Sequence, residues 1–385
     1  MEYTTMWAYL WDLVDDGIDR ALGRIQDEAG VGAVSIATAY HTVQHLRPQA
    51  PGSKFFCAHE AALYFPPDRP RYRETPLQPR VSPLVVGGNP LRQVSERCAA
   101  RGLGLISWTV TLHNSHLGGH YPEVAVQNVF GDTIREALCP AQEPVRAYVR
   151  ALVDDLTANY QLRAVELESL CYPTARHYHG HEKLGIVLGP VEQLLLCLCF
   201  CPACRRRVGE RVAVDDAAYA ARVTLEATFA TGNPCPQTLA QYLEAQPALA
   251  AYLEARQEVV TSLVQELKAV CRAELIYLGM GDWHLSGADP RAIADSVERL
   301  ETLCYHADAE RTGAAVEALG RAAGDPRRVT IGLCAYPPAS PDAETLQANA
   351  CAAAAAGAGA LSFYHYGIMP RSHLEWVRQA VAAVR

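Results

Sequence analysis

The stretch Val329 to His365, VTIGLCAYPPASPDAETLQANACAAAAAGAGALSFYH, holds the pattern by which the rest of the chain is read. A short apolar run, Val329 to Ala335, reads as a strand; after a Pro-containing loop, Ala343 to Ala356 reads as a helix, and Ala360 to His365 is strand-like again. A second helix is expected from Arg371 to Val384. Strand, helix, strand, helix in that order predicts parallel strands joined by crossover helices.

The same alternation recurs upstream. Thr5 to Trp11 is strand-like, and Leu13, Ile18, Leu22 and Ile25 then follow at helical spacing up to a stop at Gly30. Ala33 to Ala39 is the second strand; a long Pro-rich stretch, His41 to Pro90, precedes a helix from Leu91 to Arg101 that Gly102 stops. Leu103 to Val110 is the third strand, its loop runs to about Pro144, and Val145 to Tyr160 is an amphipathic helix. Ala164 to Leu170 is the fourth. The pattern then loosens into a His-rich loop, a Leu/Cys helix over Val191 to Val208 and an Ala-rich helical region to about Ala255, broken at TGNPCPQ. A helix from Glu258 to Cys271 leads to the fifth strand, Glu274 to Met280, and the sixth, Glu301 to Tyr305, is followed by a helix over Ala309 to Ala323.

Eight such rounds predict a closed (β/α)₈ barrel with long loops after strands 2, 3 and 4 and a helical insertion between strands 4 and 5. An open doubly wound sheet would want a Gly-rich phosphate turn after strand one, where Asp12-Leu-Val-Asp15 stands. At 385 residues, half of them apolar, the expectation is a single barrel domain over 1–385 with 171–257 as loop and insertion.

Composition narrows the function. Lys+Arg total 34 against Asp+Glu 42, a formal charge of −8, which disfavours nucleic acid as a partner. The N-terminal stretch lacks a basic leader and no run reaches 18 apolar residues, so export and a membrane span are not expected. Thirteen scattered cysteines fit free thiols in a reducing cytoplasm better than a secreted disulfide framework. Homo-oligomerisation stays open.

Barrel enzymes present their chemistry at the C-terminal ends of the strands. Those ends carry Trp11 and Asp12, Tyr40 and His41, His113 and His116, Glu166 and Glu168, Asp282, Trp283 and His284, His306 and Asp308, Tyr336, and Tyr364 and His365. The loops add His59 and Glu60, then His177, His179, His181 and Glu182. In Arg163-Ala-Val-Glu-Leu-Glu-Ser-Leu170, strand alternation points Glu166 and Glu168 to one face, and apolar neighbours make that face the barrel interior. Two unpaired carboxylates there would repel, so Glu168, the upper one, is the first catalytic candidate. A glycosidase needs a second carboxyl about 5 Å away for retention, or farther for inversion. Asp282, beside Trp283 and His284 where a sugar ring could stack, is that candidate, with Glu60, Glu182 and Asp308 in reserve. Strand seven, TIGLCAYPP, lacks the Glu that many retaining barrels place there.

Asn128-Val-Phe-Gly-Asp-Thr-Ile-Arg-Glu-Ala-Leu-Cys-Pro140, then EPVRAY, the Glu166/Glu168 strand, HGHEK and CFCPAC together resemble a set of poorly characterised bacterial barrel proteins akin to glycoside hydrolases. The resemblance covers roughly residues 55–207 and implies a glycosidase-like barrel with Glu168 as the strand-four acid. The strand-four segment also resembles the acidic signature of chitinase-like barrels, but Leu170 stands where their terminal Glu would be, which speaks against a substrate-assisted mechanism. The expected partner is a small carbohydrate, with no cofactor and no catalytic metal. Two other readings stay open: a metal-dependent hydrolase or isomerase using His113, His116, Glu168 and His181, and a catalytically silent sugar-binding barrel that keeps Trp11, Trp283 and the tyrosines. Cys199, Cys201 and Cys204 form C-x-C-x-x-C, spacing that can bind zinc, yet no second C-x-x-C completes a set and LLLCLCF reads first as helical core.

Overall fold

The computed structural model describes residues 1–173, 183–279 and 283–385, the side chains of Trp283 and His284 excepted. Among these, eight parallel strands close into a barrel: β1 (Tyr3–Tyr9), β2 (Ala33–Tyr40), β3 (Gly104–Val110), β4 (Ala164–Glu168), β5 (Glu274–Gly279), β6 (Arg299–Cys304), β7 (Val329–Cys334) and β8 (Ala360–Tyr364). Each pairs with the next in sequence, and β1 also pairs with β8, leaving no free edge among them. Ala62–Leu63 adds antiparallel to the end of β2.

Every expected strand is found, with shifted ends that have local causes. β1 stops at Tyr9 because Leu10–Asp16 turns helical at once, taking Leu10 and Trp11 out of the strand. β4 stops at Glu168 because Ser169 takes the left-handed region (φ 56°), and β3's continuation then donates from both the Thr111 N–H and hydroxyl to the Glu168 carbonyl, each at 2.9 Å. β6 begins two residues early, at Arg299, whose guanidinium is buried against Glu2 at the barrel base.

The Pro-rich stretch after β2 carries a hairpin, Val43–Leu46 with Phe55–Ala58, and the helix Pro90–Arg101, ended by Gly102 in the left-handed region (φ 64°) as its sequence predicts. The loop after β3 folds as a short helix, Ser115–His120, and a hairpin, Ala125–Gln127 with Thr133–Leu138. The insertion after β4 contains helices Pro190–Leu196, Pro202–Val208, Val214–Thr231, Leu239–Ala245 and Pro247–Val270, and packs an apolar cluster of its own around Leu194, Leu225, Leu249 and Tyr252. The single Leu/Cys helix expected over 191–208 is two helices. Pro202 cannot continue a helix but starts one well, and Cys201 caps it by accepting from the Cys204 N–H.

Side chains that alternate inward fill the barrel in layers. Tyr3, Ala33, Ile106, Ala164, Ile276 and Ala360 form an apolar base, and the strands also bury the polar Thr5, Ser35, Glu166, Glu301, Thr330 and Ser362. Higher still, Trp7 lies over β7, where Gly332 leaves it room: a Cβ there would stand 2.7 Å from the Trp7 ring and 2.8 Å from Leu303 Cδ2. Gly332→Ala is therefore expected to cost about 1–3 kcal/mol through overpacking. Urea denaturation would show it, and an unchanged midpoint with an unchanged slope would contradict this account of the slot.

Candidate active site

Alternation along β4 places Glu166 and Glu168 inside the barrel, as the sequence predicts, and the local partners explain their positions. The Trp7 indole donates to Glu166 Oε1 (2.6 Å) and the Ser35 hydroxyl to Oε2 (2.5 Å), so the lower carboxyl is held from β1 and β2. The Trp108 indole on β3 donates to Glu168 Oε2. Glu301, on β6, brings a third carboxyl that the sequence reading passed over in favour of His306 and Asp308 at the end of the same strand; it is completely buried. Its signal was present, since Arg299, Glu301 and Leu303 alternate as an inward face, but two charges on one strand face look like a solvated edge.

These carboxyls are pushed toward their neutral forms. Burial raises Glu168 to about 7 against the pull of the Trp108 hydrogen bond. Burial also raises Glu301 to about 8, opposed by Ser362 and Arg299 and reinforced by the Glu168 charge. Glu166 is raised well above the carboxylate range by burial first and by Glu301 second, although Ser35 and Trp7 favour its ionised form.

Above the acids stands an aromatic enclosure. The Tyr9 hydroxyl donates to Tyr40 (2.9 Å) and lies 3.2 Å from that of Tyr364; Trp108 stacks on Tyr9 at 5.4 Å. Tyr364 in turn has the exposed Tyr305 at 5.6 Å and the half-buried Tyr336 at 6.3 Å, both more open to solvent than Tyr9 and Tyr40. His365 packs 4.1 Å from Tyr9, and its Nδ1 accepts from the Gly367 N–H, which leaves the proton on Nε2. Burial keeps this imidazole neutral. Trp7, Tyr9 and Trp108 fall within the expected strand runs, and the sequence singles none of them out; each carries a polar atom on its ring that must find a partner once buried, supplied by the carboxyls for the two indoles and by neighbouring hydroxyls for Tyr9.

The other expected residues divide. Trp11 is buried between Tyr9 (4.3 Å) and Phe56 (4.1 Å) and donates to His45 Nε2 at 3.2 Å, so it supports the enclosure from behind. Asp12 is buried against Arg47 (3.5 Å) and the backbone at Gly367, where any Cβ would strike its carboxyl. His41 stacks on His113 at 4.4 Å. Glu60 pairs with His116 (3.4 Å) and Arg80 (3.5 Å) on the outer loop, and His59 is exposed beside Cys57. His306 accepts from the Asp308 N–H at the start of the helix Ala309–Ala323. Asp282, His181 and Glu182, with His177 and His179, lie outside the described residues, as does the side chain of Trp283. Among the described residues, the side chains gathered closely enough to hold a metal ion are four thiols away from the barrel interior, Cys139, Cys199, Cys201 and Cys204.

No protein-family model matches the chain, and no curated protein matches it. Solved structures do. Alpha-L-fucosidase isoenzyme 2 from Paenibacillus thiaminolyticus superposes with a TM-score of 0.59 at 12% identity over 100% of this chain and 49% of that one. The chain thus spans about half the length of that fucosidase. The catalytic domain of beta-amylase from Paenibacillus polymyxa gives 0.58 at 11% identity, covering 98% of this chain and 97% of that one. Beta-galactosidase from Marinomonas ef1 gives 0.59 at 11% identity, covering 99% and 59%. At such identities the likeness is one of fold, a closed (β/α)₈ barrel. No helix of the described residues is long and apolar enough to cross a membrane.

Proposed function

We propose that the protein is a glycoside hydrolase in which Glu168 is the proton donor at the C-terminal mouth of the barrel. The observation that carries this reading is one carboxyl, at the end of β4, pushed to about 7 by burial and fixed by an indole inside a wall of tyrosines. A general acid must still hold its proton near neutral pH, and this environment provides that. In the chemical step Glu168 protonates the glycosidic oxygen as the bond to the anomeric carbon breaks, and the resulting carboxylate is met by the Trp108 N–H. Tyr305 and Tyr336, the more open rings around Tyr364, offer apolar faces to a sugar.

The second carboxyl is assigned to Asp282. Leu278 on β5 stands opposite Glu168 in the strand register, and Asp282 follows a few residues later. Glu166 sits deeper with both oxygens bonded, which suits a positioning role through Trp7 rather than attack on substrate. Water or the Asp282 carboxylate would then attack the anomeric carbon, giving inversion or retention according to the gap between the two acids.

A panel of aryl α- and β-glycosides tests the reading. At least one member should be cleaved, with kcat/KM falling tenfold per pH step above about 7 as Glu168 loses its proton. Sugar binding without turnover of any member, or a rate that climbs steadily through pH 8, would overturn it.

A further inference from the structure

The four thiols outside the barrel come from two distant parts of the chain. Cys139 directly follows the hairpin strand Thr133–Leu138 on the loop after β3. Cys199 and Cys201 lie in the connection between helices Pro190–Leu196 and Pro202–Val208, and Cys204 is in the first turn of the latter. All four are buried, and their sulfur atoms lie within 4.8 Å of one another.

The spacing is that of ligands about a common centre. Cys139 Sγ lies 3.4 Å from Cys204, 3.6 Å from Cys201 and 3.7 Å from Cys199. A disulfide joins one pair at about 2.05 Å, whereas Cys139 is nearly equidistant from three sulfurs. Four sulfurs at about 2.3 Å from a tetrahedral zinc ion are separated by about 3.8 Å along each edge. Sequence spacing alone gave C-x-C-x-x-C without a fourth ligand; the fold supplies it from Cys139, 60 residues before Cys199.

N–H and O–H groups surround the sulfurs. The Gln127 N–H donates to Cys199 Sγ (3.4 Å), the Cys204 N–H to Cys201 Sγ (3.5 Å) and Gln142 Nε2 to Cys201 Sγ (3.8 Å), while the Tyr172 hydroxyl lies 3.4 Å from Cys204 Sγ. Such outer donors orient ligand sulfurs and spread their negative charge. The helix that carries Cys204 also carries Arg205, Arg206 and Arg207, and Arg207 reaches back to the Ala141 carbonyl (3.0 Å) beside Cys139.

We propose that Cys139, Cys199, Cys201 and Cys204 bind one structural zinc ion. Binding exchanges four thiol protons for Zn²⁺, leaving a centre of charge −2 with no oxidation or reduction. Four sulfur ligands close the coordination shell, so the ion holds no substrate. Its work is mechanical: it ties the start of the insertion to the loop after β3, and through Tyr172 it reaches the segment leaving β4 just past Glu168.

Elemental analysis of the full chain, purified without chelator from zinc-supplemented cells, tests the site. About one equivalent of zinc is expected, and cobalt in its place should give the absorption bands of a tetrahedral tetrathiolate. Cys139→Ser and Cys204→Ser should each lower zinc to about a tenth or less, while Cys98→Ser, a buried lone thiol, should leave it unchanged. Should the serine variants fail to fold, the wild-type metal content and cobalt spectrum still decide. Folded wild-type protein that is metal-free and takes up no cobalt, or that carries a disulfide between any two of the four, would overturn the proposal.

Discussion

Glu168→Gln is expected to keep the fold and sugar binding while lowering kcat by on the order of 10³-fold or more. Gln fills the same volume and can still accept from the Trp108 indole, so the wall of the barrel has no reason to move. What is lost is a proton available near pH 7 at the end of β4. That proton acts in the transition state, where charge builds on the leaving oxygen, and hardly at all in the ground-state complex; hence the loss belongs to kcat rather than KM. An aryl glycoside with a very acidic leaving group needs little protonation and should lose much less. If Glu168→Gln turns over an active substrate at the wild-type rate, the acid is elsewhere and the proposed chemistry fails.

The folded state should lose about 2–4 kcal/mol between pH 6.5 and 8. In the unfolded chain the carboxyls titrate in the ordinary range, well below this window. In the fold Glu168 holds its proton to about 7, Glu301 to about 8, and Glu166 higher than a free carboxyl. The native state therefore binds more protons than the unfolded state across the window, and stability falls as pH rises, by at most about 1.4 kcal/mol per pH step for each such group. Below about 6.5 the half-buried His45 and the buried His365, both lowered by burial, act in the opposite sense, because the unfolded chain gains protons there that the fold refuses. Denaturant titrations at pH 6.5, 7.25 and 8 would measure the slope, and Glu301→Gln should flatten it. A slope of zero or of the other sign in the wild type would show that these carboxyls are ionised in the fold.

The barrel was legible because most strands are short, largely apolar runs with a helix-period stretch behind them, as in Val329 to Ala356. The insertion was less so. LLLCLCF satisfies helix periodicity, and nothing local reveals that Cys199 and Cys201 leave the helix to meet a partner from before β4. In the site, Glu166 and Glu168 could be read because they share a face of one strand. Glu301 could not, since its face includes Arg299, whose burial depends on Glu2 from the other end of the chain. Trp7 and Trp108 looked like core and are core. Their second role, holding carboxyls, exists only after β1, β3 and β4 have come together, and no window along the sequence contains that.

Gly332 also bears on how the chain reaches its native state. The Trp7 ring bonds to Glu166, 159 residues away, yet the slot that accommodates it is on β7, near the far end of the chain. During synthesis the amino-terminal half can assemble its strands while Trp7 still lacks the wall it packs on. The central acids are then sealed from water only when the last strands arrive. Contacts of such long separation make for slow, late closure. Nascent chains that stop short of β7 should thus present this acidic, tryptophan-lined interior to chaperones and proteases.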